Sequence, residues 1–119
     1  MTQLLLFYGD TMVDHPGEFR TETADDGSLV LVMPITLDSV STPNIKREAI
    51  DTLAAAAEPA RVDLTSTTFM DSAGIGLLVT LYRTAKERGQ RLILVGAKDQ
   101  PLSLIRTVQM DRVVDIKTG

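Results

Sequence analysis

The chain of 119 residues carries 12 Lys and Arg against 16 Asp and Glu, a formal net charge of −4, with one His and no Cys or Trp. That length suits one domain with a sizeable core, and 44% hydrophobic with 24% charged residues excludes wholesale disorder. The acidic balance speaks against nucleic acid as a partner; without Cys, and with His15 alone, there is no disulfide, thiolate site, imidazole-pair zinc site or Ser-His-Asp triad.

Residues 1–17 read differently from the rest. The apolar run Leu4 to Tyr8 is far short of the ~20 residues of a membrane span. It also lacks the basic flank and small-residue cleavage site of a secretory signal, so a cytoplasmic chain with no membrane insertion is expected. Gly9-Asp10 and Asp14-His15-Pro16-Gly17 then break the chain. The segment 1–17 is read as an N-terminal extension, either a frayed tail, an added edge strand, or a partner or dimer contact. The domain proper is 18–119.

From Glu18 the pattern is regular. A weakly alternating stretch, Phe19 to Thr23, meets the turn signal Asp25-Asp26-Gly27, and Leu29 to Met33 follows as a buried strand, which together predict a hairpin. Thr42-Pro43 reads as N-cap and first helical residue. Ile45, Ala49, Leu53 and Ala57 then recur every four residues, until Glu58-Pro59 stops the helix. Val62 and Leu64 alternate with Asp63 as a short strand. A second helix is predicted from Ser72 to about Arg88, with Ile75, Leu78, Val79, Tyr82 and Ala85 on one side, Leu77 and Leu81 widening it, and Gly89 as its C-terminal cap. Leu92 to Val95 has the fully apolar character of a parallel strand covered on both faces. Asp99 and Pro101 open a third helix, and Val113, Val114 and Ile116 form a last strand. The order β-β-α-β-α-β-α-β predicts an α/β fold: a mixed, mostly parallel sheet with an N-terminal antiparallel hairpin and three to four helices.

The most informative stretch is Phe69-Met70-Asp71-Ser72-Ala73-Gly74-Ile75-Gly76, between a strand and a helix. Ser72 is expected at the N-cap, its hydroxyl accepting from a first-turn N–H. Asp71 adds negative charge at the positive end of the helix dipole. Ala73, Gly74 and Gly76 leave bare backbone that a partner can approach. A plain capped helix would explain the Ser and Asp, but each glycine costs ~1 kcal/mol of helix propensity against Ala. The stretch has no third Gly of a dinucleotide fingerprint, no Gly-Lys-Ser/Thr of a P-loop and no Gly-x-Ser-x-Gly elbow. Phe69 and Met70 are expected to be core contacts that anchor the loop.

This stretch resembles the signature loop of the STAS domain, specifically that of bacterial anti-sigma factor antagonists (anti-anti-sigma factors). The resemblance extends over roughly residues 19–117, through the hairpin, Leu37-Asp38, Val62-Asp63-Leu64 and Leu92 to Gly96. It implies a phosphoprotein without catalytic activity or cofactor, acting in bacterial signalling and transcription regulation by partner switching. By the same resemblance Ser72 is the residue phosphorylated by a cognate anti-sigma factor that is also a serine kinase. The unphosphorylated form binds that partner and frees a sigma factor, and a PP2C-type phosphatase resets the switch. Asp38 matches a family Asp near the phosphorylatable serine, which gives Asp38, Asp71, Ser72, Ala73, Gly74 and Gly76 as the expected partner-binding residues. Ala73 stands where members commonly carry a second hydroxyl, so Ser72 is the expected sole acceptor.

Two other readings stand beside this one. The chain could dock constitutively in a larger complex, a lipid-transport ATPase or a stressosome-like scaffold, although an exposed hydroxyl serves no purpose there. An enzyme using Asp38, Asp63 and Asp71 would lack any nucleophile and base pair. Arg83, Lys86 and Arg88 read as a solvated helix end that suits the dipole.

Overall fold

The structure, a computed structural model, describes residues 18–56 and 59–118. The segment 1–17, with Leu4 to Tyr8 and His15, lies outside the described residues, as do Ala57 and Glu58.

The hairpin forms as its turn residues dictate. Strands β1 (Arg20–Thr23) and β2 (Leu29–Val32) pair antiparallel, with Arg20 opposite Val32 and Thr23 opposite Leu29. Gly27 takes φ 87 in the turn, a conformation open to glycine at little cost. Asp26 accepts hydrogen bonds from the Ser28 N–H and hydroxyl at 2.9 and 2.6 Å, which hold its carboxyl below the ordinary pKa.

Beyond the hairpin every pairing among the described residues is parallel. With β4 (Ala60–Asp63), β6 (Leu92–Val95) and β7 (Asp115–Lys117) the main sheet runs β1-β2-β4-β6-β7. The register aligns Leu31, Val62, Leu94 and Ile116 across four strands. The first three of these are fully buried, so this row floors the core. The neighbouring row, Val30, Arg61, Ile93 and Asp115, alternates apolar and charged residues. The α/β class and the mixed sheet are as the sequence predicts.

Among the described residues three helices complete the layer. α1 (Thr42–Ala55) buries Ala49 and Leu53 and packs on α2 (Ser72–Glu87). Pro43 sits in the first turn of α1, where its missing N–H is harmless. Along α2 the buried stripe is Gly74, Leu77, Leu78, Leu81 and Ala85, while Ile75, Val79 and Tyr82 flank it half-buried. The stripe is thus centred one residue row away from the predicted one. Gly89 closes this helix at φ 67. α3 (Asp99–Thr107) and a short 3-10 turn (Met110–Arg112) lead into β7.

Two strands escape sequence reading because they are two residues long. β3 (Thr36–Leu37) and β5 (Phe69–Met70) pair parallel as a separate ladder beside the main sheet, Thr36 opposite Phe69 and Leu37 opposite Met70. Leu37 and Met70 are fully buried, so the ladder is rooted in the core. This ladder positions the signature loop.

Among the described residues the contiguous core draws its members from the segment between Phe19 and Ile116. A chain beginning at Glu18 is therefore expected to fold and to unfold cooperatively. A large fall in melting temperature on removal of residues 1–17 would contradict this and assign them to the core or to an obligate dimer.

Candidate functional site

The β3-β5 ladder ends in two aspartates. Asp38 follows Leu37 and Asp71 follows Met70, and the Asp71 N–H donates to the Leu37 carbonyl at 3.3 Å. Two carboxylate-bearing turns therefore leave one end of the ladder side by side.

One carboxylate caps the helix it precedes, and the other closes the turn that leads into its helix. Asp71 is the N-cap of α2, its Oδ1 accepting from the Ala73 N–H at 2.8 Å and the Gly74 N–H at 3.3 Å. This corrects the expectation that Ser72 caps the helix. Asp and Ser are comparable N-cap residues, and the extended backbone at residue 71 gives the position to Asp. Ser72 becomes the first helical residue, exposed, with the capping bonds made without its hydroxyl.

Asp38 organises the entry to α1. Its Oδ1 accepts from the Val40 and Ser41 N–H groups, both at 3.0 Å. Ser41 Oγ in turn accepts from the Asp38 N–H at 3.0 Å and donates to the Thr36 carbonyl at 2.8 Å. This is a reciprocal cap one turn ahead of the helix. The donating Ser41 backbone, with Val40 behind it, holds the Asp38 carboxyl below its ordinary pKa despite slight desolvation.

That depression fixes a sign. The folded carboxyl binds its proton less readily than the unfolded one, so its contribution is complete above the ordinary carboxylate pKa of ~4 and lost as pH falls through the lower folded value. Asp38→Asn keeps an acceptor for the cap and removes the titration. It is expected to stay folded like the wild type at neutral pH and to flatten the acid limb of a urea-unfolding profile. Asp38→Ala removes the cap as well and is expected to lower stability at both ends. Identical acid limbs for Asp38→Asn and wild type would overturn this.

The two glycines of the loop differ. A Cβ on Gly74 would lie 2.3 Å from the Leu37 carbonyl oxygen and 2.5 Å from Met70 Cγ. Gly74 is therefore demanded by the close approach of α2 to the ladder. It is buried, which corrects the expectation that it offers bare backbone to a partner. A Cβ on Gly76 would meet nothing within 4 Å, and Gly76 is exposed. Together with Ala73 and Thr80 it lines a groove that Pro43 and Lys46 of α1 close from the other side.

The ladder also turns apolar surface outward. Phe69 is 46% exposed and Ile35 48%, and the Ile35 carbonyl accepts from the Thr68 and Phe69 N–H groups, so the two lie together. Val40, in the Asp38 turn, is 77% exposed. Met70 is core as expected, but Phe69 is not. The strict alternation of a strand sends neighbours to opposite faces, which a two-residue strand hides from sequence reading.

Asp63 shows the same capping habit, its Oδ1 accepting from the Thr65 N–H at 2.8 Å. All three carboxylates that an enzymatic reading would enlist are thus engaged with their own turns. Among the described residues no group of three His, Cys, Asp or Glu could hold a metal ion, and no helix is long and apolar enough to cross a membrane.

A parallel-sheet edge, a ladder-anchored loop with Asp then Ser, and a glycine forced by helix-to-strand approach form the context in which residues 19–118 match the STAS domain family. The chain belongs to the STAS domain family. Over 57 residues this STAS domain is 32% identical to the anti-sigma-B factor antagonist of Listeria monocytogenes, covering 48% of the chain and 50% of the relative. It thus spans about half the length of the curated relatives it matches. An anti-sigma-factor antagonist (STAS) domain protein from Planctomyces limnophilus shares the fold with a TM-score of 0.76 at 18% identity, over 85% of this chain and 90% of that one. The Bacillus protein SpoIIAA does so in its phosphorylated form with a TM-score of 0.66 at 20% identity, over 86% and 93% of the two chains. Its unphosphorylated form, an anti-sigma factor antagonist, gives 0.66 at 19%, over 86% and 88%.

Proposed function

We propose that this chain is an anti-sigma factor antagonist, not an enzyme, that binds an anti-sigma factor with serine kinase activity and is released by phosphorylation of Ser72. The carrying observation is the division of labour at the start of α2. Asp71 makes the capping bonds, so the Ser72 hydroxyl stands exposed with no structural duty in the cap. A phosphate can be added there without dismantling the helix, and three acceptor oxygens near a helix N-terminus are locally tolerated.

The surroundings suit a protein partner. Exposed Phe69, Ile35 and Val40 flank the loop, and Ala73 and Gly76 leave its first turn low. Such a face of apolar anchors around a bare backbone ridge is suited to burial against another protein. In this reading Asp38 and Asp71 supply negative potential beside Ser72, so an added phosphate meets a like field. A PP2C-type phosphatase then returns the free form, and the cycle runs in the cytoplasm with no membrane insertion and no nucleic-acid contact.

The test is site mapping. Incubation with its anti-sigma kinase and ATP, followed by mass spectrometry, is expected to place one phosphate on Ser72, since Ala73 offers no hydroxyl. A phosphate on Ser66, Thr67 or Thr68, or none with a partner that binds, would overturn the switch and favour constitutive docking.

A further inference from the structure

Strand β5 has two edges, and the ladder with β3 covers only one. On the other, the Gln100 side chain of α3 takes the place of a strand. Its Oε1 accepts from the Met70 N–H at 2.8 Å and its Nε2 donates to the Met70 carbonyl at 2.7 Å. One carboxamide thus grips both backbone groups of the residue that immediately precedes Asp71. A primary amide carries a donor and an acceptor side by side, so among side chains only Gln and Asn can mimic a backbone neighbour in this way. Asn is one methylene shorter.

The grip is set up from outside β5. Asp99, just before Gln100, takes φ 51, in the left-handed region that Asp visits more readily than most residues with a side chain. α3 packs against β5. The backbone of Met70 is therefore pinned between Leu37 of β3 and Gln100 of α3, two residues before the Ser72 hydroxyl.

We propose that Gln100 is a positioning residue for phosphorylation of Ser72, fixing the exit of β5 and through it the Asp71 cap and the direction of the Ser72 hydroxyl. The inference rests on the reading of Ser72 as phosphoacceptor. In this role Gln100 needs no contact with the Ser72 hydroxyl. It acts through the main chain.

Transfer to a hydroxyl depends steeply on its alignment, and a displacement of about 1 Å costs up to ~100-fold. Gln100→Met keeps the length and removes both hydrogen bonds. Gln100→Glu keeps an acceptor for the Met70 N–H and removes the donor for the Met70 carbonyl. The experiment is steady-state phosphorylation of full-length wild type, Gln100→Met and Gln100→Glu by the anti-sigma kinase with ATP, well below the melting temperature of each. Amide hydrogen exchange is measured on the same samples. The expected result is a fall in kcat on the order of 10–100-fold with KM nearly unchanged, in both variants. Faster exchange confined to Met70 and the first turn of α2 in Gln100→Met, and to the first turn alone in Gln100→Glu, is expected beside it. Unchanged kcat in folded variants would overturn the proposal while leaving the phosphoacceptor reading intact, as would a fall in kcat tracked by global exchange. Failure of the wild type itself to be phosphorylated at Ser72 would overturn both.

Discussion

Gly74→Ala is expected to destabilise the domain by roughly 2–3 kcal/mol, the cost of forcing a methyl into a packed site. The clash falls on the Leu37 carbonyl oxygen at 2.3 Å, and main chain held in the β3-β5 ladder has little freedom to retreat. Met70 Cγ at 2.5 Å closes the other direction, and Met70 is itself fully buried and gripped by Gln100. For a domain of this size the loss corresponds to a drop in melting temperature on the order of 10–20 °C. Gly76→Ala is the internal control. Open space surrounds its Cβ position, so alanine should raise stability by up to ~1 kcal/mol through helix propensity alone. The same methyl raises the floor of the groove beside Ala73, and partner affinity is expected to fall. Urea denaturation of the two variants checks the pair. Gly74→Ala as stable as wild type would show that α2 can step back from the ladder.

Ser72→Asp is expected to weaken partner binding by ~30–1000-fold, or about 2–4 kcal/mol, the range for burying an unpaired charge at an interface. Both Asp71 and Asp38 stand at the same end of the ladder, and no cation among the described residues is paired with either carboxylate. An added negative group there must be desolvated beside two like charges when Phe69 and Val40 are covered. Ser72→Ala leaves the bare ridge intact and is expected to bind at least as well as wild type and to resist release. Neither variant should unfold, since the Asp71 cap needs no Ser72 hydroxyl. Near-ultraviolet spectra with titration of the partner separate a folding defect from a binding defect. Equal affinity for Ser72→Asp and Ser72→Ala would show that residue 72 lies outside the interface.

The sequence displays those parts of the fold whose periodicity runs over several residues. The hairpin, the Ile45-Ala49-Leu53 stripe and the apolar run Leu92 to Val95 all do so, and each occupies its expected element. β3 and β5 were illegible because alternation needs more than two residues to declare itself. Without β5, Phe69 looked like core, and without the ladder nothing showed why Gly74 must lack a side chain. The capping assignment was ambiguous because Asp71-Ser72 offers two good N-cap residues in succession, and only backbone geometry chooses between them. Gln100 carried no signal at all, since a glutamine on a helix surface is unremarkable until the strand edge it faces is known. The candidate site was legible as a motif, and its mechanics came from short pieces of backbone brought together from distant parts of the chain.

The most direct measurement compares one partner against two forms of one chain. The anti-sigma factor is titrated calorimetrically with unmodified protein and with protein phosphorylated stoichiometrically at Ser72. The structure of the loop predicts tight binding of the unmodified form, a loss of at least ~30-fold on phosphorylation, and an unchanged melting profile of the isolated chain. Equal affinity for the two forms would contradict the account and leave a STAS domain that docks without a switch.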